Sequence, residues 1–78
     1  MNHPALGMIE FKSIAKGIFA TDAILKKAPI ELLSTNPVCP GKYIVIFGGD
    51  VASVDESLKA GLEAGSDLVI NSLFIPNL

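Results

Sequence analysis

The stretch VCPGKYIVIF at positions 38–47 joins a turn to the most strand-like run of the sequence. Pro40 fixes φ and has no N–H, and Gly41 can adopt positive φ, so the pair predicts a tight turn. The run that follows, from Lys42 to Phe47, is almost entirely β-branched and aromatic, which is typical of a central strand. We therefore expect a hairpin corner that displays Cys39, the only cysteine, at the tip of the turn.

The residues before this hairpin predict a strand, a helix and a second strand. The segment from Ala5 to Phe11 alternates loosely, as a strand does. Ser13 is a suitable N-cap for a helix from Ile14 to about Lys27, which the following proline ends. The segment from Ile30 to Thr35 predicts a short strand, and a loop is expected to begin at Asn36.

The residues after the hairpin predict a second helix and a last strand. Asp50 is a plausible N-cap, and the sequence from Ser53 to Glu56 offers an alternative capping box one turn later. Gly65 marks the expected end of this helix. The segment from Leu68 to Ile75 predicts the last strand, which Pro76 closes.

Apolar residues near helical spacing predict the buried face of each helix. In the first helix these are Ile14, Ile18, Leu25 and Ala28. In the second they are Val51, Val54, Leu58 and Leu62.

The predicted order is strand–helix–strand–strand–helix–strand. This order indicates an α+β, ferredoxin-like sandwich (βαββαβ) with two helices on one face of a four-stranded antiparallel sheet. Seventy-eight residues make a single domain, residues 1–78, and a chain this small buries only roughly 60% of its unfolded surface. Half of its residues are hydrophobic and 18% are charged. We therefore expect the excess apolar surface to meet other copies of the chain.

Several functional classes are disfavoured by the sequence. No apolar run reaches the roughly 18 residues of a membrane span, and no signal-peptide pattern opens the chain. A net charge of −2 without a Lys/Arg stripe argues against a nucleic-acid partner. Ser13 and Ser53 are explained as helix caps, and no acid–base pair stands out. Gly48 and Gly49 lack the spacing of a phosphate-binding loop. We expect a protein that is not an enzyme and does not cross a membrane.

Five segments together resemble bacterial microcompartment shell proteins. They are ALGMIE at 5–10, TDAILK at 21–26, PIELL at 29–33, Gly49-Asp50-Val51 and Ile75-Pro76. The resemblance implies flat cyclic hexamers, or trimers of tandem domains, that tile a polyhedral shell in the bacterial cytoplasm. It also implies that Val38, Cys39, Pro40 and Gly41 line the central pore. Lys26 resembles the lysine that the family places at the tile edge.

Three further segments resemble the first half of the tandem-domain shell proteins of propanediol-utilisation compartments: SIAKG at 13–17, VCPGK at 38–42 and FGGD at 47–50. In that group one cysteine per chain, at the position of Cys39, holds a 4Fe-4S cluster ([4Fe-4S]) at a three-fold pore. The resemblance thus implies that Cys39 is a metal and cofactor ligand for electron transfer across the shell. It also implies that the chain is a single domain or the first half of a tandem protein. The implied partners are further copies, other shell proteins and encapsulated redox enzymes.

Alternatives to these hypotheses remain open at this stage. Cys39 can be a thiol of no consequence in a purely structural or pore-forming tile. Lys26 can be a solvated lysine that interacts with the negative end of the helix dipole. A weaker third hypothesis is a small-molecule-binding regulator of ferredoxin-like fold, such as a signalling trimer.

Overall fold

The computed structural model describes residues 4–38 and 40–77. Within them, every predicted helix and strand is present. The elements are β1 (Ala5–Phe11), α1 (Ile14–Lys27), β2 (Glu31–Val38), β3 (Lys42–Gly49), α2 (Val51–Gly65), a 3₁₀ turn (Ser66–Leu68) and β4 (Val69–Ile75).

The four strands form one antiparallel sheet in the order β2-β3-β1-β4. β1 lies in the middle, where Ala5 pairs with Gly49 and Phe11 pairs with Tyr43. Both helices pack on the same face of the sheet, since the core joins residues of α1 and α2 to one side of β1 and β3. The predicted α+β sandwich is therefore confirmed.

The core lies between the helices and the sheet. Alternate residues of β1 point into it, as the period of two in a strand requires. Its largest fully buried side chains are Phe11, Phe47, Ile9, Ile24, Val45 and Val54. On α2 the predicted buried face is confirmed for Val54, Leu58 and Leu62, whereas Val51 is exposed.

The predicted buried face of α1 is wrong. The helix packs through Gly17, Ala20 and Ile24, while Ile14, Ile18 and Leu25 are exposed and Ala28 is half-buried. The physical reason is the close approach of α1 to β3. A Cβ at Gly17 would lie 2.7 Å from Cγ of Tyr43, so only a residue without a side chain fits this contact. Small residues face the sheet, and the larger apolar ones are displaced to a flank.

Three predicted strand boundaries shift in the structure. β2 begins at Glu31 and continues through Asn36 and Pro37 to Val38 instead of ending at Thr35. A proline is tolerated there because β2 is an edge strand. β3 runs on to Gly49, and β4 begins at Val69 rather than Leu68.

Both helices begin at a capping side chain. Ser13 Oγ accepts a hydrogen bond from the backbone N–H of Lys16 at 3.1 Å, and Asp50 Oδ1 accepts one from that of Ser53 at 2.9 Å. The Ser53 hydroxyl also donates to Asp50 Oδ2 at 2.9 Å. These bonds identify Asp50, not the alternative capping box, as the start of α2. The backbone and hydroxyl bonds from Ser53 hold the pKa of Asp50 below its ordinary value of 3.8.

The lowered pKa of Asp50 predicts a pH-dependent contribution to stability. The unfolded state takes up the proton more readily than the folded state, so the contribution is complete above pH 3.8 and is lost as pH falls through the lowered pKa. Asp50→Asn keeps a capping acceptor but does not titrate. We expect denaturant midpoints of wild type to fall more steeply than those of D50N on acidification. Parallel losses in the two proteins would contradict this role.

Candidate functional site

The turn between β2 and β3 is the first part of the candidate site. Val38 pairs with Lys42 across it, so three residues close the hairpin. Pro40 and Gly41 are exposed, and Gly41 has a φ of 77°, a conformation that favours glycine. The predicted Pro-Gly corner is thus confirmed. Cys39 lies outside the described residues, and its placement at the tip stays a prediction.

The donor groups near this turn decide whether an iron–sulfur cluster fits. One chain offers a single thiol, whereas such clusters are held by about four ligands. Among residues 4–38 and 40–77, no group of three or more His, Asp or Glu side chains is placed to hold a metal ion. Nothing lies within 4 Å of a Cβ built on Gly41, so this side of the turn has space for a neighbouring group. The residues fit a cluster only if several copies of the chain share it.

Lys26 is the second predicted site residue, and it lies in the last turn of α1. Its Nζ is 2.9 Å from Oδ2 of Asp22, one helical turn earlier, and both side chains are exposed. The pair is a surface ion pair of the kind that adds little to stability. The ammonium group therefore stays accessible to a neighbouring molecule.

The fold places the turn and Lys26 at opposite ends of the domain. Phe11 pairs with Tyr43 beside the turn, and α1 begins three residues later. The 14 residues of α1 then run roughly 21 Å back along the sheet. At the far end, Glu31 pairs with Gly48 soon after the helix ends. In a ring with the turn at its axis, Lys26 would point to the outer edge.

Two apolar surfaces were missed by the sequence prediction. One is the flank of α1 formed by Ile14, Ile18 and Leu25, here called the α1 flank. The other is a groove of about 160 Å³ on the open face of the sheet, here called the sheet groove. It is lined by Leu6, Gly7, Met8, Ile46, Leu73 and Ile75. Its signal in the sequence was the apolar character of Leu6 and Met8, which alternate with the buried residues of β1.

None of the helices in the described part of the chain is long and apolar enough to cross a membrane.

Comparison with known proteins places these features in a family. A model of the BMC domain matches residues 5–78. The shell protein PduT of Citrobacter freundii is 42% identical over 74 residues, which are 95% of this chain and 40% of that protein. The shell protein PduA of the same organism is 35% identical over 68 residues, covering 87% of this chain and 73% of PduA.

A solved structure shows the same fold. A crystal structure of a microcompartment protein from Desulfitobacterium hafniense DCB superimposes with a TM-score of 0.91 at 48% identity. The match covers 94% of this chain and 41% of that one. The chain thus spans about 40% of the length of PduT and of this structural relative.

Proposed function

Since the chain belongs to the BMC domain family, several of whose members are bacterial microcompartment shell proteins, we propose that it forms cyclic tiles of such a shell. The tile is a hexamer, or a trimer if two domains are joined in tandem. The observation that carries the proposal is the placement of the β2–β3 turn and Lys26 at opposite ends of the domain. Subunits arranged around the turn would surround a pore and present Lys26 to neighbouring tiles. The proposal requires no catalysis by the chain.

We further propose that Cys39 thiolates of symmetry-related chains hold a 4Fe-4S cluster at this pore. Such a cluster supplies one-electron transfer, here between the two sides of the shell. The support from this chain is the three-residue turn, with Pro40 and Gly41 exposed and open space beside Gly41. Pro40 and Gly41 fix the direction of the turn, and the neighbouring backbone N–H groups are available to hydrogen-bond the sulfur atoms.

The symmetry of the ring separates this proposal from a tile that only forms a pore. Three converging thiolates leave one iron of a cubane to an external ligand, whereas six exceed the roughly four that a cluster uses. A three-fold ring therefore favours the cluster, and a six-fold ring favours the structural or pore-forming tile. The match to PduA over most of the chain keeps this second candidate.

Sedimentation velocity tests the tile proposal. We expect the wild-type chain to sediment as a discrete oligomer of three or six subunits at micromolar concentration. A stable monomer over the whole concentration range would contradict the proposal.

Replacing Lys26 by alanine is expected to weaken the association of rings into sheets without unfolding the domain. The exposed pair with Asp22 and the helix dipole together contribute only a few tenths of a kcal/mol. Electron microscopy of the sheets measures the effect. Lys59→Ala is the matched control, because Lys59 forms the same kind of exposed pair with Asp55 on α2, at 3.1 Å. Sheets of K26A as extensive as those of K59A would return Lys26 to the role of a solvated charge.

A further inference from the structure

The exposed apolar residues of α1 lie on one flank of the helix. At about 100° per residue, Ile14, Ile18 and Leu25 fall within roughly 40° of one another. The same rotation separates this flank by roughly 100° from Ile24, which points into the core. Ile18 is 57% exposed. The α1 flank is therefore a continuous convex ridge that the domain itself does not cover.

The sheet groove is a second and separate apolar surface. Met8 of the central strand β1 pairs with Ile46 on one side and Leu73 on the other, and Leu6 pairs with Ile75. These side chains point away from both helices, because residues on the alternate positions of β1 are buried beneath them. The groove is entirely apolar and holds about 160 Å³. It is a concave surface without a charged side chain in its lining.

From these two surfaces we propose that the α1 flank of one subunit packs into the sheet groove of the next. The inference rests on the proposed ring assembly and names the surfaces that build it. Shape favours this pairing, since a ridge fills a groove, whereas two facing grooves enclose a void and two facing ridges touch along a line. Chemistry favours it as well, because both surfaces are aliphatic and uncharged along their centres.

The proposed contact joins different surfaces of identical chains, so it is heterologous. Such contacts repeat head to tail and close into a ring when the rotation between neighbours allows it. Every subunit then contributes both surfaces and makes two contacts. This doubles the area that a 78-residue chain commits to assembly, and it brings the chain nearer to the roughly 800 Å² per partner of a stable complex.

Two variants test the pairing by complementation. Ile18→Lys places a charge on the α1 flank and leaves the sheet groove intact. Leu73→Lys places one beside the sheet groove, at a residue that is 50% exposed, and leaves the α1 flank intact. We expect each variant alone to sediment as a folded monomer by circular dichroism and ultracentrifugation. Mixed in equal amounts, they should form a heterodimer that grows no further, because one intact contact remains.

Phe19→Lys is the matched control. Phe19 is next to Ile18 and is 61% exposed, but it lies roughly 100° further around α1, where its ring meets Nζ of Lys16 at 5.2 Å. This variant carries the same added charge and should keep the wild-type oligomer.

The outcomes separate this inference from the proposed function. A dimer of either single variant would indicate a self-complementary contact and overturn the inference, and so would a mixture that stays monomeric. Rings formed by both variants would also overturn it while the tile proposal stands. A monomeric wild type would overturn both.

Discussion

Replacing Gly17 by valine is expected to lower the free energy of unfolding by about 3 kcal/mol or more, which is a large part of the stability of a small domain. A Cβ at this position would lie 2.7 Å from Cγ and 2.8 Å from Cβ of Tyr43. These atoms are near the root of the tyrosine side chain, so they cannot move without displacing β3. The helix must therefore shift away from the sheet, which opens the core at Ala20 and Ile24.

Urea denaturation measures this effect, and Ala15→Val on the exposed side of α1 is its control. Valine costs only a fraction of a kcal/mol in an exposed helical position. Gly17→Ala makes the test sharper, because alanine would stabilise a helix by about 1 kcal/mol if space were available. Wild-type stability in the valine variant, or a gain with alanine, would contradict the close packing of α1 on β3.

Replacing Cys39 by serine is expected to abolish iron binding completely and to leave the fold and the oligomer unchanged. Serine is nearly isosteric with cysteine, and the turn geometry depends on Gly41, at a φ of 77°, and on the pairing of Val38 with Lys42. The measurement is iron and sulfide content after anaerobic reconstitution, together with the visible absorbance of the cluster.

The control for this experiment is Lys26→Ala, which lies at the other end of the domain and should retain all of its iron. Wild-type protein that binds no iron after reconstitution would contradict the cluster proposal. Iron retained by C39S would contradict the assignment of the ligand. Either result would leave the structural or pore-forming tile as the function.

The sequence predicted most of the fold because its local signals agree with one another. Ser13 and the residues before Pro29 correctly bound α1, and Asp50 correctly begins α2. The run from Lys42 to Phe47 correctly predicted a central part of the sheet, since β-branched and aromatic residues pack well on a pleated surface. These signals act within a few residues, which is the range over which a sequence pattern is informative.

The buried face of α1 could not be predicted in the same way. Helical periodicity identified Ile14, Ile18 and Leu25 as one apolar stripe, and the structure confirms that they share a flank. Periodicity does not indicate whether a stripe faces the core or another molecule. The decisive feature was the contact of Gly17 with Tyr43, which depends on tertiary packing between distant residues. The extension of β2 through Pro37 had the same cause, because its edge position is set by the sheet order.

The candidate site was predictable as far as a resemblance can carry it. The Pro-Gly corner and the exposed Lys26 are confirmed in their local geometry. The roles of Cys39 and Lys26 depend on neighbouring copies of the chain, which no local pattern describes. The α1 flank and the sheet groove were missed for the same reason, since each becomes meaningful only beside the surface of another subunit.

Cryo-electron microscopy of the wild-type oligomer, prepared without oxygen, tests the central claim most directly. The account predicts a closed ring with three-fold or six-fold symmetry, in which the turn from Val38 to Lys42 surrounds the axis and Lys26 lies on the outer rim. A ring with the turn on its rim, or particles without rotational symmetry, would contradict the claim that this chain is a shell tile with its β2–β3 turn at the pore.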